Sequence, residues 1–188
     1  MGVTAVIPSI PPRSKMLRRA LASVLSQTHP VDGISVAVDN SRAGSATTRN
    51  RALAGVTTEW VAFLDDDDQW KANHVERLLA TAEETGADVV YPWPEMFGMG
   101  DPRPDRWNKP FDADELRRGS YIPVTSLVRT ELAWKCGGFQ IPEGSVYDDW
   151  GFYLALLDLG AKFVHLPERT WIWNIHGGNT SGSADRWA

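Results

Sequence analysis

Apolar residues along this chain fall first in a short unbroken run and then at helical spacing, and the alternation repeats through the first half. Thr4-Ala5-Val6-Ile7 predicts a buried strand, closed by Pro8-Ser9-Ile10-Pro11-Pro12, whose prolines turn the chain out of the sheet. Ser14 is a candidate N-cap, and Leu17, Ala20, Leu21, Val24 and Leu25 then share one helical face. Ile34 to Val38 predicts a second strand, ending in Asp39-Asn40-Ser41, and a second helix is expected over about Thr47 to Ala54. Trp60 to Leu64 predicts a third strand. A helix capped by Asn73, with Val75, Leu78, Leu79 and Ala82 on one face and Gly86 as its stop, leads to a fourth strand at Ala87 to Tyr91. Repeated strand and helix with no hairpin signal predicts an α/β fold with a mostly parallel central sheet flanked by helices.

The second half has a different texture. Pro92 to Pro110 carries five prolines and two tryptophans and reads as a long irregular loop. A short helix is expected at Phe111 to Arg118. A strand follows at Tyr121 to Val128, in which Pro123 suggests an edge or a bulge. One or two helical turns at Glu131 to Lys135 close on Gly137-Gly138. Asp148-Asp149 open an apolar helix, Trp150 to Leu159, and two short strands follow at Phe163 to Leu166 and Thr170 to Trp173. The polar, glycine-rich residues 177–188 read as a flexible tail.

Composition narrows the classes. A chain of 188 residues, 43% hydrophobic and 23% charged, suffices for one domain with a real core. A net charge of −5 with no long basic run argues against nucleic acid as a partner. The single cysteine, Cys136, allows no internal disulfide and fits a reducing, cytoplasmic setting. No apolar run approaches a membrane span, so no integral membrane segment is expected.

The candidate chemistry begins at Asp65-Asp66-Asp67-Asp68, where an apolar strand runs into four consecutive carboxylates. Like charges packed together raise one another's pKa, so such a cluster calls for water or a cation. Hard oxygen ligands suit Mg²⁺ or Mn²⁺. Taken alone, the run fits a metal–phosphate site and a solvated acidic helix start equally well. Three strands end in polar residues, at Ser9, Asp39 and Asp65, and ligands of open α/β sheets lie outside the carboxyl ends of strands. The chain has no glycine-rich phosphate loop and no Gly-x-Ser-x-Gly elbow, which disfavours P-loop, dinucleotide and serine-hydrolase chemistry.

Five stretches together resemble the family 2 glycosyltransferases with the GT-A fold. They are Val6-Ile7-Pro8-Ser9 with the helix ending Ser23-Val24-Leu25-Ser26-Gln27-Thr28; Asp39-Asn40-Ser41; Thr48-Arg49-Asn50-Arg51-Ala52-Leu53; Phe63-Leu64-Asp65-Asp66-Asp67-Asp68; and Gly137-Gly138-Phe139 followed by Asp148-Asp149-Trp150. The resemblance implies one GT-A domain over 1–188, with a nucleotide-sugar and metal half at 1–92 and an acceptor and catalytic-base half at 93–176. It implies a metal-dependent, inverting transfer from a UDP-, GDP- or dTDP-linked sugar to an acceptor hydroxyl on a glycan, lipid carrier, protein or small molecule. Pro8, Ser9, Asp39, Arg49, Asp65 and Asp66 are then the expected nucleotide contacts. Asp67, Asp65 and His176 are the expected ligands of Mn²⁺ or Mg²⁺, with Asp68 left as a cap of the next helix. Asp149, or its neighbour Asp148, is the expected base.

Trp93, Trp107 and Trp150 are candidates for the acceptor groove, although tryptophans are more often core. Each site reading has a plain alternative: an Asx turn at Asp39, a surface arginine at Arg49, a helix cap at Asp148-Asp149 and a structural histidine at His176. The usual Tyr-Asn after the first strand is here Ile10-Pro11-Pro12. A non-catalytic nucleotide-sugar or glycan-binding module, which would need no base, is the competing function. A nucleotidyltransferase would need a glycine-rich phosphate loop that the chain lacks.

Overall fold

The computed structural model describes residues 1–98 and 108–177. Seven strands form one sheet in the order β2-β1-β3-β6-β5-β7-β4: β1 (Val3–Ser9), β2 (Gly33–Val38), β3 (Trp60–Phe63), β4 (Gln69–Trp70), β5 (Val89–Gly98), β6 (Leu127–Arg129) and β7 (Phe163–Ile175). The long ladders, β1 with β2, β1 with β3 and β5 with β7, are parallel, whereas the antiparallel ladders of β6 and β4 are two or three residue pairs each. The sheet is therefore mostly parallel, as the sequence pattern predicts.

The apolar runs of β1 and β3 lack alternation because helices cover both faces of the sheet. Side chains still point to alternate faces. Val6, Val61 and Phe63 pack with α2 (Ser45–Leu53), α5 (Thr130–Lys135) and α6 (Asp148–Asp158). Ala5, Ile7, Ala62 and Leu64 pack on the other face with α1 (Ser14–Leu25) and α3 (His74–Thr85). Since β1, β2 and β3 are parallel, their carboxyl ends share one edge of the sheet, and Ser9, Asp39 and Asp65 lie there.

The structure departs from the sequence reading in three places. Residues 92–98 are strand, not loop. β5 continues to Gly98 alongside β7, with register shifts on either side of Trp93. Those irregularities accommodate Pro92 and Pro94, which have no N–H to give a regular ladder. For the same reason the two strands expected at 163–166 and 170–173 are one, β7, running through Pro167. The strand expected over 121–128 shrinks to β6, which lies inside the sheet between β3 and β5 rather than at its edge. Tyr121 to Ser126 are buried but irregular, with the Tyr153 hydroxyl donating to the Pro123 carbonyl at 2.8 Å. α4 (Ala113–Arg118) is capped by the Asp112 side chain, which accepts from Glu115 N at 2.8 Å. Trp107 and residues 178–188 of the expected tail lie outside the described residues.

Candidate active site

The loop after β2 is built by Asp39. Its buried carboxylate accepts from the backbone N–H groups of Ser41 (3.1 Å), Ala43 (2.9 Å) and Gly44 (2.9 Å). Burial opposes the charge, but these donors outweigh it and hold the carboxyl below its ordinary range. The Asx-type turn is thus present, and any contact to a nucleobase uses what acceptor capacity remains. The loop ends at Gly44, where α2 begins and carries Arg49 and Asn50 inward.

Arg49 is no surface arginine; it is 7% exposed. Its guanidinium joins Asp65 beyond β3 (NH2 to Oδ1, 2.6 Å) to Asp148 at the start of α6 (NH1 to Oδ2, 2.5 Å), and it lies 5.4 Å from the Phe139 ring centroid. Against the burial that disfavours its charge, the two carboxylates raise its pKa and keep it cationic. The next residue clasps the glycine-rich segment. Asn50 Nδ2 donates to the Phe139 carbonyl at 2.9 Å, and Phe139 N donates to Asn50 Oδ1 at 2.8 Å. Gly138 makes that approach possible, with φ +74° and Asn50 Oδ1 only 2.4 Å from where a Cβ would stand. Phe139 in turn stacks on Phe152 at 4.2 Å and meets Phe63 edge-on at 5.0 Å, which seats α6 against β3.

The four carboxylates after β3 are not equivalent. Asp66 is fully engaged, accepting from Ser9 Oγ on Oδ2 (2.7 Å) and from Arg13 on Oδ1 (3.1 Å). Asp67 Oδ2 meets the same Arg13 nitrogen at 2.8 Å and His176 Nε2 at 3.3 Å. Asp68 is buried and accepts from Asn174 N at 2.9 Å, while Asn174 Nδ2 donates to the Asp67 carbonyl at 2.7 Å. It does not cap α3, which starts only at His74.

Asp65, Asp67 and Asp68 bring one oxygen each within 4.8 Å of one another. Burial first, and neighbouring carboxylates next, push Asp67 up to about 6 and Asp68 well above the ordinary carboxylate range. Oxygen donors alone, anionic and crowded, fit a hard divalent cation.

A second acidic centre opens α6. Asp148 is committed to Arg49 and accepts from Asp149 N at 3.1 Å. Asp149 accepts only from Trp150 N (2.8 Å) among the hydrogen bonds described, and is partly exposed. Desolvation of its carboxyl and the charge on Asp148, opposed by Arg49, push it up to about 7. The same residue thus stands in the first turn of α6 and presents a carboxyl that titrates near neutrality.

Most of the expected site residues come together here: Ser9, Arg49, Asp65, Asp66, Asp67, His176, Asp148 and Asp149. Pro8 lies within β1, paired with Ala37, one residue before Ser9. Asp39 sits on the loop that leads into α2. Two of the three expected tryptophans lie among the described residues. Trp150 packs against the core and donates Nε1 to the Leu116 carbonyl at 2.7 Å, which fixes α6 to α4. Trp93 is half-buried in β5 with the Arg169 guanidinium 4.1 Å over its ring. The sequence reading gave no role to Arg13, Asn50 or Asn174, and left Asp68 outside the acidic centre. Only Asn50 had a signal, its place beside Arg49 in the helix motif.

Comparison with known proteins agrees with this architecture. The family model described as glycosyl transferase family 2 matches residues 33–131. The succinoglycan biosynthesis protein ExoM of Rhizobium meliloti is 30% identical over 166 residues, covering 82% of this chain and 51% of that protein. The chain thus spans about half the length of this curated relative. Among solved structures, S. aureus TarS in complex with UDP-GlcNAc superposes with TM-score 0.76 at 16% identity, over 95% of this chain and 60% of TarS. The mannosyltransferase PcManGT of Pyrobaculum calidifontis, in complex with GDP-Man and Mn²⁺, gives 0.68 at 16% identity, over 96% of this chain and 58% of the other. At such identities the likeness speaks for the GT-A fold alone. The family match covers more than half of the sequence, and the chain belongs to glycosyltransferase family 2.

Proposed function

We propose that this chain transfers a glycosyl group from a nucleoside-diphosphate sugar to an acceptor hydroxyl, with inversion, assisted by Mn²⁺ or Mg²⁺. The observation that carries the reading is the pair of acidic centres, Asp65–Asp68 and Asp148-Asp149, held to one buried guanidinium. The transfer needs two such centres, one for the leaving diphosphate and one for the nucleophile.

Asp149 is the base. Asp148 is spent on Arg49, so Asp149 is the carboxylate left to take the hydroxyl proton, and a pKa near 7 suits a base working at neutral pH. As the acceptor oxygen bonds to the anomeric carbon, its proton passes to Asp149, and the bond from that carbon to the β-phosphate oxygen breaks. The electron pair leaves on the nucleoside diphosphate. One direct displacement inverts the configuration. Asp65, Asp67 and Asp68 would hold the cation, with His176 beside them. A bound divalent ion would supply charge to stabilise the departing diphosphate. Ser9, Asp39 and the loop it organises flank the expected nucleotide position at the ends of β1 and β2. The UDP-GlcNAc bound by TarS and the GDP-Man and Mn²⁺ bound by PcManGT support the substrate class and the cation.

The test begins with a thermal-shift screen of UDP, GDP and dTDP, with and without Mn²⁺, since a ligand of the folded state raises the melting temperature by mass action. Donor turnover by the wild type, Asp149→Asn and Asp67→Asn follows. The expected result is stabilisation by one diphosphate with Mn²⁺, and loss of turnover of about a hundredfold or more in both variants, the size expected for losing a general base in one and charge stabilisation of the leaving group in the other. Nucleotide binding without donor turnover would favour the binding-module alternative.

A further inference from the structure

Arg13 occupies a place that the resemblance does not explain. It closes a 3-10 turn, Pro11–Arg13, at the point where the usual Tyr-Asn is replaced. Two prolines fix φ along that turn, and Arg13 N donates to the Ile10 carbonyl at 3.0 Å. The side chain then reaches the acidic centre, with one nitrogen 3.1 Å from Asp66 Oδ1 and 2.8 Å from Asp67 Oδ2. Its side chain is only 15% exposed.

This divides the four carboxylates. Asp66 has one oxygen on Ser9 and the other on Arg13, and it is not among the residues whose oxygens converge. Asp65, Asp67 and Asp68 remain to hold a cation, but Asp67 is shared with the guanidinium. A divalent ion on Asp67 and a guanidinium on the same carboxylate repel each other in a poorly solvated site. A nucleoside diphosphate brings new anionic oxygens, on which arginine forms strong paired hydrogen bonds.

We infer that Arg13 is a resident counter-ion of the acidic centre that keeps divalent-metal affinity low until a nucleoside diphosphate arrives to accept its guanidinium. Metal and nucleotide binding are thereby made cooperative, and Arg13 sets the strength of that coupling. By linkage the effect is reciprocal, so the metal raises nucleotide affinity by the same factor. The inference rests on the proposed metal–diphosphate reading of this site.

The experiment measures Mn²⁺ binding directly, by the electron paramagnetic resonance signal of free Mn²⁺. It uses wild type, Arg13→Gln, Arg13→Lys and Asp67→Asn, each alone and with saturating UDP or GDP. In Arg13→Gln, Mn²⁺ affinity without nucleotide should rise about tenfold or more, and the gain on adding nucleotide should shrink by a similar factor. Such factors correspond to the usual range of coupling between sites. Arg13→Lys keeps the charge and should stay close to wild type, which separates charge from damage to the fold. Unchanged or weaker Mn²⁺ affinity in Arg13→Gln, or an undiminished nucleotide effect, would overturn the inference. The Asp67→Asn control is independent of it. If that variant binds Mn²⁺ as well as wild type, the metal reading itself fails.

Discussion

Arg49→Met is the most informative single change, because the structure fixes both its energetic and its kinetic consequences. The substitution keeps much of the aliphatic stem but leaves Asp148 buried, with its Oδ2 facing no cation at 2.5 Å. Removing one partner of a buried pair costs about 3–5 kcal/mol, against a total stability of about 5–15 kcal/mol. For a chain of this size that corresponds to a fall of about 6–20 °C in melting temperature. Asp65 is half-exposed and can be hydrated, so the penalty falls on Asp148. Without the guanidinium charge the buried Asp148 carboxylate is easier to protonate, so the destabilisation should be larger at pH 8 than at pH 5. Urea unfolding followed by tryptophan fluorescence at the two pH values measures this. Asp148→Asn in the Arg49→Met background should recover much of the loss, giving a double-mutant cycle for the pair. The kinetic arm is separate. Arg49 lowers the pKa of Asp149, so without it the proposed base holds its proton to higher pH. The acid limb of the turnover profile, expected near 7 in the wild type, should move upward. A loss below about 1 kcal/mol at pH 8 would contradict the buried-pair account, which requires several times that.

Three further outcomes follow from the same geometry. Gly138→Ala places a Cβ 2.4 Å from Asn50 Oδ1 at a positive φ, so it should destabilise by about 1–3 kcal/mol in urea unfolding and lower turnover by displacing α6. Asp148→Asn should cost stability while retaining more turnover than Asp149→Asn, since Asp148 is the residue committed to Arg49. Stability without added cation should fall as pH rises from about 6.5 to 8. Asp67 and Asp149 are held up to about 6 and about 7, so the folded state keeps protons that the unfolded chain has lost near pH 4, and ionising them in place is unfavourable. The buried His74, pushed down to about 3 by desolvation, stays neutral in the folded state while the unfolded chain still binds a proton there near the ordinary 6.5, so it opposes the fall at the low end of that window and fades above about pH 7.5. Melting temperature against pH, with and without Mn²⁺, measures the trend, and Mn²⁺ should flatten it.

Local pattern revealed the first half of the chain well because local physics decides it. The strands β1 and β3 are apolar on both faces, the helices between them carry a single buried face, and Gly86 ends α3 in a left-handed turn. Parallel strands then have to deliver Ser9, Asp39 and Asp65 to one edge. The second half departs from the local pattern where proline reads as a break. Pro92, Pro94 and Pro167 sit in one long pair of strands whose register shifts absorb the missing donors. That pairing is non-local, and together with the β4–β7 ladder it carries Asn174 and His176 to the acidic centre. Tryptophan spacing cannot separate an acceptor platform from packing; Trp150, partly buried against the core, donates to the Leu116 carbonyl.

Charge explains why arginines distant in sequence stand beside the acidic run. Four adjacent carboxylates cannot all be held near one another unless something positive stands beside them. Two arginines do so here, and each comes from a different layer. Arg49 leans in from α2 to Asp65 and Asp148, whereas Arg13 comes from the turn after β1 to Asp66 and Asp67. Neither pairing is local in sequence, since the partners are separated by 53 and 99 residues for the Arg13–Asp66 and Arg49–Asp148 bonds. The acidic run therefore acquires its division of labour from the fold. Asp66 is neutralised by protein, Asp65 is tied toward the start of α6, and Asp67 with Asp68 is left with the strongest drive to capture a cation or a proton.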